Sequence, residues 1–534
     1  MDNSNNGING LTITVAYDII QTYNTCGCFA AFLQKTSLFH GTMDYSKSIK
    51  RLREDKNLTV EELAKRLSIP SCEIERAESG DDNLDEKTLE EIARYFGVQY
   101  DSLVNGTVKS GKKDTIFDPT EWYKLDNAAK VYPSSSSNEY STLFRFAAVM
   151  KERVDGKILQ QALDDLVPRF PTLMVTIKRG AFWYYFERLP FKPQVEKETL
   201  YSFQPIPLDG KRYLFRVVYS DYRIGCEFFH SITDGTGGST FLMSLLARYY
   251  EIKTGKAISD FKSAKNYRDL PTATEIEDSF QVYAEKHDYA KRNINFTYIP
   301  KLPKARNGVM THVITSASKL NQKAKEYGAT ITEYVLAIIF GIMFEMRKRE
   351  GSKKDINARV PVNLRKFFPS DTIRNFSFFL DVTLKNEVEG GTQAYVNAVK
   401  ECFKAQLNEK YLQENINANM REERNKFISF VPLALKDIGL KITKYLLDNK
   451  AVSMDFSNYG RLNPPQELFE IADRVEFCLK EPKGNGYKLA GVTFGDECVL
   501  TFSRTFKSAQ LERDFVRALT NEGLDVYIET NGEK

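Results

Sequence analysis

Apolar positions recur at helical spacing in five short runs between residues 46 and 105. Ile49 and Leu52 lead the first. Thr59 stands before the second, and Glu62 three places on completes a capping box over 60–67. The third run covers 71–78 and stops at Gly80; the last two occupy 88–96 and 101–104. Beyond residue 117 the period changes. Ile224, Cys226 and Phe228 alternate with Arg223, Gly225 and Glu227, which predicts a strand over 222–229. It pairs with 213–219 through a turn at Ser220-Asp221. An amphipathic helix follows over 239–250. Residues 331–346 read as a buried helix. That last run holds Glu333 and Glu345 and falls short of the roughly 20 apolar residues a membrane span needs. The stretch 10–34 carries Asp18, Gln21 and Asn24 with no basic leader, so it is a poor signal peptide.

These patterns divide the chain. Residues 1–43 show no sustained period and open Asn/Gly-rich; a poorly ordered tail is expected there, with Met43 as a candidate natural start. Residues 106–117 are polar and Lys/Gly-rich, as in a linker. From 118 onward the chain is α/β, and a polar stretch over 253–307 separates 118–300 from 301–534.

Composition narrows the class without naming it. The 534 residues are enough for about three folding units. A chain 42% hydrophobic and 27% charged is neither collagen-like nor largely disordered. The 75 Lys+Arg against 71 Asp+Glu leave +4, too weak a charge for a global hold on nucleic acid or membrane. Over 44–105 the balance reverses, to ten basic and fifteen acidic residues. The seven cysteines are odd in number, and Cys26-Gly27-Cys28 has the wrong spacing for a zinc knuckle; a reducing, cytoplasmic protein is expected. The four histidines are far apart, so no metal site is expected.

One segment carries chemistry. The strand over 222–229 runs into His230-Ser231-Ile232-Thr233-Asp234-Gly235, and a helix follows. A neutral imidazole at a strand end can take a proton from a hydroxyl or amine as that group attacks a carbonyl. A satisfied structural histidine is the bland alternative. Asp234 is expected to hold the loop through an Arg, and Gly235 to allow a sharp bend with close backbone approach. Phe228, Phe229, Phe241, Phe376, Phe378 and Phe379 are either the lining of an apolar pocket or plain core.

The pattern Leu-Thr-x-Glu-Glu-Leu-Ala-x-Arg-Leu, turn, helix, Glu-Ser-Gly, then Leu-x-x-Ile-Ala-x-x-Phe-Gly-Val resembles the Cro/C1 (XRE-type) helix-turn-helix, a small all-α five-helix domain spanning 44–105. The resemblance places Ser71, Cys72 and Arg76 toward DNA. Glu73 and Glu75 lie on the same helix, and the acidic balance keeps open a dimerisation unit or a remnant. The remainder resembles the chloramphenicol-acetyltransferase-like superfamily, which includes condensation domains and alcohol acetyltransferases and is built around His-x-x-x-Asp-Gly. Leu159-Gln160-Gln161-Ala162-Leu163 through Pro171-Thr172-Leu173, Arg359-Val360-Pro361-Val362-Asn363-Leu364-Arg365, Asn375-Phe376 and Ser457-Asn458-Tyr459-Gly460 follow in the family's order. Phe229 replaces the second His of condensation domains, which points toward the alcohol-acylating members. The resemblance implies an α/β two-lobed acyltransferase fold, with lobes over 118–300 and 301–534. It also implies His230 as base, Arg365 rather than Arg359 against Asp234, and Ser457 or Asn458 as oxyanion donor, a plain β-turn being the alternative for the latter. It further implies no permanently bound cofactor, acyl-CoA as the co-substrate and a small alcohol or amine as the acceptor. The alternative is a transcription regulator whose acyltransferase-like part senses a ligand.

Overall fold

The computed structural model describes residues 45–532 except 56–57, 68, 81–83, 97, 99–102, 105–121, 127, 137–140, 199–202, 286–296, 425–430, 440–451 and 483–485. The expected tail 1–43, the Met43 start and the linker 106–117 lie outside the described residues. The chain divides into two units, Met1–Ile116 and Phe117–Lys534.

The small unit contains Ser46–Asp55, Val60–Leu67, Ser71–Ser79 and Glu86–Phe96 as helices. Thr59 and Glu62 exchange the two capping-box bonds, Thr59 N to Glu62 Oε2 at 2.9 Å and Glu62 N to Thr59 Oγ1 at 3.2 Å. Gly80 ends the third helix at φ 80°, a left-handed conformation that favours glycine. Ile49, Leu63, Ile74, Ile92 and Leu103 meet in its core. The fifth helix, expected over 101–104, is described only at 103–104.

The large unit is built on two main sheets. The first lobe's sheet has the order Ala472–Leu479, Leu143–Met150, Arg223–Phe229, Phe215–Ser220, Val195–Lys197. The second lobe's sheet runs Ser377–Leu384, Ile356–Asn363, Met454–Arg461, Tyr487–Phe494, Glu497–Phe506, Lys304–Ser316, Tyr527–Thr530. The expected hairpin forms: Phe215–Ser220 pairs antiparallel with Arg223–Phe229. Alternation along Arg223–Phe229 does not translate into one wet face, because residues 224–229 are all buried. The Arg145 guanidinium covers the charged face, 3.0 Å from Glu198 and 3.4 Å from Glu227.

Two further departures have physical causes. The helix expected over 239–250 is Gly235–Thr254, because the Asp234 carboxylate caps it four residues earlier than its apolar stripe begins. A division at residue 300 is crossed by Ala472–Leu479, which pairs with Leu143–Met150 in the first lobe's sheet. The helix Ile331–Arg349 is capped by Thr330 and Glu333 and is buried in the second lobe's core. No single helix among the described residues is long and apolar enough to cross a membrane.

Candidate active site between the two lobes

Backbone bonds carry the first sheet's geometry through to the histidine. Phe229 N donates to Leu214 O at 2.8 Å and His230 N to Thr142 O at 3.0 Å. The chain then turns, with Ile232 N donating to Phe229 O at 3.0 Å. The Asp234 Oδ1 accepts from Thr236 N at 3.0 Å and Gly237 N at 3.3 Å, which satisfies two free donors of the helix start. Close backbone approach occurs at Gly237 and not, as expected, at Gly235. A Cβ on Gly237 would lie 2.0 Å from Thr233 Oγ1 and 2.1 Å from Ile373 O, whereas one on Gly235 would meet only the Tyr459 ring at 3.6 Å.

The other Asp234 oxygen faces the second lobe. It accepts from Arg365 Nη1 at 2.8 Å and from Phe376 N at 2.8 Å. Arg365 in turn donates to Thr372 O and Arg374 O, each at 2.7 Å from Nη2. Both side chains are under a tenth exposed. Removing one partner of such a pair costs about 3–5 kcal/mol, because the other charge is left buried and alone. Arg359 lies elsewhere, 3.4 Å from Asp381. The pair Asp234–Arg365 thus holds the loop after His230 against the segment 372–376.

That segment presents Asn375 to the imidazole. His230 Nδ1 lies 3.2 Å from Asn375 Oδ1. Asn375 Nδ2 lies 3.1 Å from the Ser231 carbonyl, which can only accept, and 3.4 Å from Asp126 Oδ2. The amide orientation is therefore fixed, with oxygen toward the ring. Nδ1 must carry the proton, and Nε2 is left as the basic nitrogen. Tyr132 stacks on the ring at 4.7 Å and 15°, and Phe144 meets it edge-on at 5.0 Å. Burial pushes the His230 imidazole below its ordinary value, against the opposing pull of Asp234 and Asn375. Burial also pushes the Asp126 carboxyl up to about 7, with Arg374 opposing it.

The two oxyanion candidates separate. Alternation puts Asn458 on the face of Phe456, where its Nδ2 donates to Thr332 Oγ1 at 2.9 Å and its Oδ1 accepts from Gly460 N at 3.0 Å. Asn458 is committed there and is withdrawn as an oxyanion donor. Ser457 lies on the opposite face with Asp455. The strand bulges between Asn458 and Gly460, and Tyr459 reaches the first lobe, bonding Ser239 Oγ at 2.7 Å. Of the six phenylalanines considered as pocket lining, Phe228, Phe229, Phe241, Phe376 and Phe378 are core; only Phe379 is exposed.

In the small unit, Ser71, Cys72 and Arg76 are exposed on Ser71–Ser79, along with Glu75. Glu78 is drawn inward by Arg53, whose Nε and Nη2 each lie 2.6 Å from a carboxylate oxygen. Among the described residues no group of three or more His, Cys, Asp or Glu could hold a metal ion.

Residues 49–103 match a family profile described as Helix-turn-helix. No curated protein matches the chain at the level of sequence. In three dimensions the chain is similar to polyketide synthase associated protein 5 from Mycobacterium tuberculosis, with TM-score 0.50 and 14% identity, over 74% of this chain and 96% of that one. The nonribosomal peptide synthetase FmoA3 gives TM-score 0.50 and 14% identity, over 76% of this chain and 42% of that one. The first condensation domain of the calcium-dependent antibiotic synthetase gives TM-score 0.47 and 12% identity, over 76% and 99%. The large unit thus shares its fold with polyketide synthase associated protein 5 and with part of FmoA3. Within that fold, the loop His230–Gly235 of the first lobe and the Asn375 segment of the second form one hydrogen-bonded constellation. The motif made His230 and Asp234 visible in sequence. Tyr132 and Asp126 carried no such signal, and Asn375 was visible only as a neighbour of the channel.

Proposed function

We propose that the large unit is an acyltransferase that moves an acyl group from a thioester, acyl-CoA, to a hydroxyl or amine. The observation that carries this reading is the His230–Asn375 contact, which leaves a neutral Nε2 as base. In the reaction the acceptor approaches Nε2 and gives up its proton as its oxygen or nitrogen bonds to the thioester carbonyl carbon. The carbonyl oxygen becomes an oxyanion, for which Ser457 is the remaining candidate donor. The C–S bond then breaks, the imidazolium returns its proton to the departing thiolate, and ester or amide plus free thiol result. No covalent enzyme intermediate is required. Asp234 and Arg365 act by holding the loop and do not touch the reacting atoms.

The test is thiol release from a panel of acyl-CoAs with mixed alcohols and amines. Wild type is expected to turn over, and His230→Ala to lose activity by at least 10²-fold with an unchanged melting temperature. Absence of thiol release from wild type together with acyl-CoA-induced thermal stabilisation would favour the ligand-sensing regulator instead.

For the small unit we propose DNA contact through Ser71, Cys72 and Arg76. Support comes from the helix-turn-helix profile match, the exposure of these three side chains, and the withdrawal of Glu78 into its pair with Arg53. With acidic residues in excess over 44–105, phosphate attraction is weak, so the affinity is expected to rest on few contacts. Binding to the protein's own promoter region, followed by mobility shift at 50 and 200 mM salt, is the check. Arg76→Ala is expected to abolish the shift, and no shift at 50 mM salt would reject the reading.

A further inference from the structure

Register across the second sheet sets four ionised side chains side by side. Asp381 pairs with Arg359, Arg359 with Asp455, and Asp455 with Lys488, on four neighbouring strands. Cross-strand partners share a face, so Asp381, Arg359, Asp455 and Lys488 form one row of alternating sign. The adjoining positions Ala358, Val360, Met454 and Phe456 fill the core on the other side.

The row faces the first lobe. Asn363, on the Arg359 side of its strand, donates to Thr236 Oγ1 at 3.1 Å in the helix start beside Asp234. Tyr459, two strand positions beyond Ser457, bonds Ser239. Asp455 and Arg359 act electrostatically on the Tyr132 hydroxyl, and Lys488 acts on His230. The side chains of Arg359 and Asp381 are 36% and 51% exposed, so solvent and ligands reach them. The Asp455 side chain has no hydrogen-bond or ion-pair partner among the described residues, although it is half-buried between two cations.

Charge complementarity selects among ligands. Two carboxylates and two cations sum to zero, which neither attracts a polyanion such as the phosphates of CoA nor suits an aliphatic chain. Of the six phenylalanines only Phe379 is exposed, and the Arg359 guanidinium lies 5.8 Å over its ring, so one aromatic ring beside a cation makes no apolar acceptor pocket. A ligand that itself carries both signs satisfies the row. We propose that this row is the acceptor-recognition wall and that the acceptor is zwitterionic, its ammonium set against Asp455 and its carboxylate against Arg359 and Lys488. The inference rests on the transferase reading, and it narrows the acceptor from any small alcohol or amine to an amino-acid-like compound.

The experiment compares four hydroxyl-bearing acceptors by thiol release from acetyl-CoA and octanoyl-CoA: L-serine, ethanolamine, lactate and 1-propanol. The expected order of kcat/KM is serine first and propanol last, separated by at least tenfold. Asp455→Asn and Arg359→Gln are each expected to cut the serine-to-propanol ratio of kcat/KM about tenfold, through a rise in KM for serine. A preference for propanol, or a ratio that neither variant moves while both melt like wild type, would overturn the proposal. Thiol release with none of the four acceptors would count against the transferase reading itself. Titration calorimetry of L-serine into the His230→Ala protein then judges the row separately. Binding that Asp455→Asn weakens tenfold sustains the site, and absent or unweakened binding removes it.

Discussion

At the scale of single residues, what matters is which nitrogen of His230 is free. The answer comes from a chain of obligations: the Ser231 carbonyl needs a donor, so Asn375 turns its Nδ2 to it, and its Oδ1 accepts a hydrogen bond from the Nδ1–H. Asn375→Ala removes that obligation. The imidazole then populates the tautomer with Nε2 protonated, and kcat is expected to fall roughly 10–100-fold with little change in KM; a rise in KM with kcat unchanged would mean Asn375 binds substrate. Burial also lowers the imidazole's pKa from its ordinary value near 6.5, so the base form persists to lower pH. The acid limb of kcat/KM is therefore expected below pH 6.5. By the same sign, His230 contributes stability above about pH 6.5 that is lost as pH falls through its lowered value. A limb above 6.5 would show that the pull of Asp234 and Asn375 outweighs burial. The motif spacing made His230 and Asp234 legible, whereas Asn375 lies 145 residues from His230 and its role depends on a fold that no periodicity reports.

Elements explain why the motif ends as it does. Local sequence reads the strand, the loop and the helix correctly, since alternation and apolar spacing are properties of neighbours. It misplaces the helix start, because the cap is a single carboxylate preceding a stretch of small residues. It also assigns the tight glycine to position 235, where the contact is ordinary, because the two atoms that crowd position 237 come from Thr233 and from the remote Ile373. Two substitutions separate these positions. Gly235→Ala is expected to change unfolding stability by less than about 1 kcal/mol, since alanine suits a helix start. Gly237→Ala is expected to cost about 1–3 kcal/mol or more, because a backbone carbonyl 2.1 Å from the new Cβ must move. Urea unfolding of the two variants beside wild type checks both values, and equal midpoints would contradict the assignment.

Across the whole molecule, the lobes depend on each other through strands and charges drawn from distant sequence. Ala472–Leu479 completes the first sheet, pairing Phe477 with Phe146 and Ala472 with Met150. Arg169 and Glu275 form a buried bidentate pair, 2.8 Å at each oxygen, and Glu275 O accepts from Ile373 N at 2.9 Å next to the Asn375 segment. The strand pairing and the Ile373–Glu275 bond both cross residue 300, and partners so far apart in sequence leave no local trace. The division nevertheless marks a real connection, since the polar stretch over 253–307 supplies Glu275. A fragment of residues 117–300 alone would leave Leu143–Met150 as an open edge with Phe144 and Phe146 uncovered, a template for aggregation. It is expected to be insoluble or to lack near-ultraviolet circular dichroism. Coexpression with 301–534 supplies the missing strand and the Ile373 donor to Glu275, so the two fragments are expected to copurify as a folded complex. A soluble, cooperatively melting 117–300 fragment would show instead that the first lobe holds its sheet, and the His230 loop on it, without help from the second.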